Sequence, residues 1–69
     1  MRTAYRVESR GRKRGTMSQK RQAIRHAHFL ARLRLNKQIS VRRVDDKTLV
    51  YQVHAHRVAG RIRFVVEEL

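Results

Sequence analysis

Residues 9–21, SRGRKRGTMSQKR, are crowded with arginine and lysine, hold two glycines and contain no acid. They separate the first alternating segment from the one long helical pattern, so the element order depends on them. SRGRKRG (9–15) reads as a loop, because two glycines bracket a run of mutually repelling charges. Thr16 then stands where an N-cap is expected, and Gln19, three residues on, completes a capping-box pattern. A helix over 17–36 follows. It contains no glycine or proline and ends near Asn36, a residue that tolerates the left-handed conformation.

Working outward, TAYRVE (3–8) alternates with Thr3, Tyr5 and Val7 on one side, as a strand does. Beyond the helix the period changes to two. ISVRRV (39–44) reads as a strand, Asp45, Asp46 and Lys47 as a turn, and TLVYQVHA (48–55) as the paired strand. A loop over 56–60 leads into a last strand, RIRFVVE (61–67). The inward positions are Ile39, Val41, Leu49, Tyr51, Val53, Ala55, Ile62, Phe64 and Val66. The expected class is α+β, in the order β-α-β-β-β: one amphipathic helix packed on a small, mostly antiparallel sheet, with 1–69 a single domain.

A chain of 69 residues without cysteine must rely on one small core, unaided by disulfides or thiolate metal sites. Small cores gain area by association, so a homodimer is an option. No segment has the composition of a signal peptide or a membrane span. The expectation is an intracellular protein, cytoplasmic or nucleoid-associated, without membrane partners.

Eighteen basic residues against five acids give a net charge of +13. Such repulsion costs stability and calls for a polyanionic partner. The excess is uneven, and residues 1–37 contain only one acid, Glu8. On a helical wheel Ala23, Ile24, Ala27, Leu30 and Ala31 share one side, while Arg21, Arg25, His28 and Arg32 fall opposite. Like charges four apart cost a helix about 0.2–0.5 kcal/mol per pair, so this stripe has no internal reason. Phe29, Leu33 and Leu35 widen the apolar arc. The ridge of Ala23, Ala27 and Ala31 suits either packing on the sheet or a helix-mediated homodimer.

A basic loop at a helix N-terminus is well placed to hold phosphate. The candidate nucleic-acid contacts are therefore Arg10, Arg12, Lys13, Arg14, Lys20, Arg21, Arg25, His28 and Arg32, read as one continuous track. Arg42, His54, Arg61 and Arg63, on the outer sheet face with Ser40 and Gln52, form a secondary basic face. Tyr5, Tyr51 and Phe64 fall in phase with the core, which disfavours base stacking and favours backbone contacts to duplex DNA or structured RNA. The expected function is nucleic-acid binding with weak sequence specificity.

Two other classes compete. One is a small basic inhibitor or adaptor docking on an acidic protein, of the kind phages and mobile elements carry. The other is a small ribonuclease using histidine as general acid and base. His26 and His28 point about 200° apart on a helix and cannot share a ligand. His54 and His56 point the same way on a strand but lack an evident third ligand, so neither a metal nor a cofactor is expected.

Overall fold

The computed structural model describes residues 3–69. The elements are β1 (Tyr5–Ser9), β2 (Arg12–Met17), α1 (Lys20–Leu33), β3 (Ile39–Arg43), β4 (Leu49–Val58) and β5 (Arg61–Glu68). One helix packs on a five-stranded antiparallel sheet of spatial order β2-β1-β3-β4-β5. The α+β class, the single helix and the antiparallel sheet agree with the sequence reading. The element order, β-β-α-β-β-β, contains one strand more.

That strand is the supposed loop. Arg10 (φ 56°) and Gly11 (φ 79°) form a two-residue connection with both residues at positive φ, as a type I′ hairpin turn requires. The chain then pairs back on β1, Tyr5 with Met17 and Arg6 with Thr16. Thr16 is thus a strand residue and caps nothing. The helix starts three residues later than expected, at Lys20, with Gln19 as its N-cap and no side-chain capping bond. Repelling charges do not prevent a strand here because β2 is an edge held by main-chain pairing to one neighbour. Charged side chains suit an edge, since they discourage further pairing.

The helix ends at Leu33, where the Arg34 amide donates to the Leu30 carbonyl at 2.9 Å. Asn36 does adopt the left-handed conformation (φ 66°), and its amide donates to Ala55 in β4 at 2.7 Å. That bond ties the chain leaving the helix to β4, just past its last pair with β3.

The core lies between α1 and the three central strands. Ala23, Ala27 and Ala31 are fully buried together with Val7, Ile39, Val41 and Ala55. The alanine ridge therefore serves helix-to-sheet packing, where small side chains let the two backbones approach. Among the inward positions, Leu49 is only half-buried while its neighbour Val50 is buried. A bulge between Val41 and Arg42 admits Val50 as the extra residue of β4, so Val50 and Tyr51 are both enclosed.

Ile62, Phe64 and Val66 do face the helix side, being paired with Arg57, Ala55 and Val53. A single helix is too narrow to cover five strands, and Phe64 and Val66 remain exposed. β3 pairs only with the first half of β4. The rest of β4 runs on with β5 as a two-stranded ribbon, turning at Ala59 and Gly60, both at positive φ. This ribbon accounts for the elongated shape, 45 × 19 × 16 Å. No helix among the described residues is long and apolar enough to cross a membrane.

Candidate nucleic-acid interface

The first hairpin carries Arg10, Arg12 and Lys13, all exposed, and Arg14, half-buried. Its register slips between Val7 and Glu8, leaving Arg14 as the extra residue of β2. The helix fastens itself to this bulge: His26 Nε2–H donates to the Arg14 carbonyl at 3.1 Å. Gly15 makes the approach possible. A Cβ there would lie 3.3 Å from the His26 ring and 3.1 Å from Met17 Cε.

The hairpin tip is at the end of the molecule opposite to the one expected. β2 leads away from the tip, and a 14-residue helix, about 21 Å long, then travels back towards it. The basic residues consequently gather near the C-terminus of α1. Ser9, Arg10, Arg12, Arg14 and Arg34 line a cleft of about 460 Å³ there. Capture of an anion by the helix N-terminus plays no part in this arrangement. The negative end of the helix dipole instead favours the arginines themselves, typically by about 0.3–1 kcal/mol per nearby charge.

Three of the five acids pair with bases elsewhere. On the outer sheet face the Glu8 carboxylate accepts from Arg42 Nε at 3.1 Å and lies 2.9 Å from Arg6 Nε, the latter without hydrogen-bond alignment. Arg42 also donates to the Lys47 carbonyl. Asp46 accepts from the Thr48 amide, which holds its carboxyl below the usual range, and lies 3.8 Å from Arg43 Nε. Glu68 pairs with Lys20 at 3.4 Å. Among the described residues no ion pair reaches Arg10, Arg12, Lys13, Arg14, Arg21, Arg25, Arg32 or Arg34.

Arg21, Arg25 and Arg32 are exposed on the outer face of α1, as the wheel places them. His28 is not among them. It turns towards the sheet, where a hydrogen bond of 2.6 Å joins its Nε2 to the Tyr51 hydroxyl and its ring lies 4.8 Å from that of Phe64. On the wheel His28 is nearer to β4 and β5 than the arginines are, and a half-polar ring gains more from an aromatic neighbour and a hydroxyl than from water. Lys20 is tied to the C-terminal end of β5. Arg42 shares the Glu8 carboxylate with Arg6. Both belong to the fold's own ion pairs.

His54 and His56 share the outer face with ring centroids 5.9 Å apart, and among the described residues no third His, Asp or Glu joins them in a metal-sized group. Arg61 and Arg63 are exposed on the outer side of the β4–β5 ribbon. Two residues of the cleft escaped the sequence reading, Ser9 and Arg34. The Arg–Gly pair at 10–11 was the available signal, since glycine beside a short alternation marks a hairpin turn. Phe29, 57% exposed, stacks on His26 with centroids 6.3 Å apart, and Leu33 beside it is 65% exposed. No family model matches the chain, and no curated protein or solved structure matches it at a significant level.

Proposed function

We propose that the protein binds nucleic acid through its phosphates, using the basic hairpin and the outer face of α1. The observation that carries this reading is the placement of the acids. Glu8, Asp46 and Glu68 pair with Arg6, Arg42, Arg43 and Lys20 on the sheet and at the start of the helix, and among the described residues no acid pairs with the arginines of the hairpin and the outer helix face. A fold that merely needed solubility would mix signs over such a surface. Arg21, Arg25 and Arg32 run along the helix towards the end where Arg10, Arg12 and Arg14 line the hairpin cleft, while Lys13, opposite Glu8 in the β1–β2 register, lies at the outer side of the sheet. The surface has the charge and the extension of a nucleic-acid backbone. It offers few groups for base edges, so the expected preference is for duplex DNA or structured RNA over any particular sequence.

Titration against salt is the test. With six to eight phosphate contacts on duplex DNA, log affinity should fall against log salt with a slope of about −5 to −7. A protein docking on an acidic partner would also weaken with salt, but duplex would compete poorly for its surface. No binding to duplex or RNA tighter than about 10 μM at low salt would refute the proposal. The exposed Phe29 and Leu33, beside the basic face, are what favours the second reading, an acidic protein partner with an apolar rim.

A further inference from the structure

The cleft at the hairpin contains more than a surface of charges. Ser9 forms its floor and is 1% exposed, yet among the described residues its hydroxyl has no hydrogen-bond partner. Arg14 Nε, from the same lining, is also enclosed without an acceptor. Buried polar groups are seldom left in this state without a reason, and an absent ligand is one. Every other lining residue is an arginine, and none of the lining is acidic. The outer sheet face differs in one respect. There a cleft of about 400 Å³ is lined by Arg6, Arg42, Arg43, Lys47 and Val44, and although Arg6 Nε and Arg43 Nε are likewise enclosed without an aligned acceptor, the Glu8 carboxylate sits among them as a built-in anion. At the hairpin the position of that anion is not supplied by the protein.

We infer that this cleft is a phosphomonoester site, filled by the phosphorylated end of a nucleic-acid strand. A terminal phosphate carries about −1.5 to −2 charge at neutral pH and three acceptor oxygens. A backbone phosphodiester carries one charge and turns only two free oxygens outwards. Four guanidiniums and a hydroxyl match the terminal group better, since guanidinium donates bidentately and the hydroxyl meets an oxygen that enters deepest. A volume of about 460 Å³ lies within the range of about 300–1,000 Å³ typical of small-molecule sites. It therefore admits the end nucleotide with its phosphate. The helix face then carries the rest of the strand. This inference deepens the nucleic-acid reading and, in its strand-end form, rests on it.

The Ser9 hydroxyl provides a test that separates a ligand group from a structural one. If Ser9 served packing, Ser9→Ala would weaken the fold. If it waits for phosphate, Ser9→Ala removes an unsatisfied group, so the melting temperature should hold or rise while phosphate binding falls.

The experiment compares one oligonucleotide sequence bearing a 5′-phosphate, a 3′-phosphate or hydroxyl ends, together with a free nucleoside monophosphate, at fixed salt. At least one phosphorylated end should bind about ten-fold more tightly than the hydroxyl-ended strand. Ser9→Ala and Arg34→Gln should each collapse that ratio towards one. Equal affinities for all three strands would overturn the cleft assignment and leave the general nucleic-acid reading standing. Binding of the free nucleotide with none of any strand would do the reverse, removing the nucleic-acid reading and the strand-end form while keeping a phosphomonoester site. An end preference that both variants leave intact would place the site elsewhere and refute the inference.

Discussion

His28 Nε2 and the Tyr51 hydroxyl are 2.6 Å apart, joining the helix to the strand beneath its open side. The pair is half a core contact and half a polar one, with Phe64 closing it from β5. Tyr51→Phe keeps the ring and removes the bond, leaving the imidazole nitrogen without its partner. A loss of about 1–2 kcal/mol is expected in urea unfolding. Unchanged stability would show that water replaces the hydroxyl without cost.

The same phenol gives a pH dependence. Burial first, and then the nearby Glu68 carboxylate, raise Tyr51 above its ordinary value of 10.0. The folded state thus holds this proton more firmly than the unfolded chain does. Its contribution is fully present below about pH 10 and is lost as pH rises through the folded value. The stability gap between wild type and Tyr51→Phe should therefore narrow above pH 10, measured by denaturant midpoints across pH 8–11.5.

Gly15→Ala tests the seam between hairpin and helix. A Cβ at 3.1–3.3 Å from Met17 and His26 forces both side chains to give way. Overpacking of this sort costs about 1–3 kcal/mol. The His26 ring resonances should shift, and amide exchange should quicken in β2 before it does in β4.

Ala27 and Phe29 are two residues apart on one helix with opposite expectations. Ala27 is fully buried, and Phe29 is 57% exposed. Ala27→Leu should cost about 1–3 kcal/mol through overpacking. Phe29→Gln should stay within about 0.5 kcal/mol. The reverse order in thermal unfolding would mean that the helix is rotated on the sheet.

The basic surface is tested by charge removal. Arg21, Arg25 and Arg32 to Gln, or Arg10, Arg12 and Lys13 to Gln, should each lower the salt slope on duplex DNA by about 2–3. Losses should be alike for unrelated sequences, because phosphates carry no code. Replacing Arg61 and Arg63, on the outer side of the β4–β5 ribbon, should matter less. If that pair alone abolishes binding, the interface is on the wrong face. Arg42→Gln separates the two kinds of arginine. It should remove up to about 1 kcal/mol of stability by weakening the Glu8 cluster and leave the slope in place.

The helix, the three C-terminal strands and the division between apolar and basic faces are legible in the sequence alone. Each is a periodic signal carried by side chains, and the period of Ile39, Val41, Tyr51 and Val53 needs no partner to be seen. The sequence also shows that Arg21, Arg25 and Arg32 share one line. What side-chain pattern did not show was the strand over residues 12–17, which reads as a loop and a helix start. No apolar alternation marks that edge strand, and the main-chain bonds to β1 that hold it are invisible in side-chain pattern. Only the tertiary structure decided which bases already have a partner. Arg42 and Lys20 look as free in the sequence as Arg12 and Arg34, but Glu8 and Glu68 reach the first two through pairings 34 and 48 residues long. The hairpin turn had the same effect on position. By sending β2 away from its own tip, it brought the basic end to the helix C-terminus, where Ser9, Arg14 and Arg34 meet. Pairing across the chain sets such meetings, and local propensity does not record it.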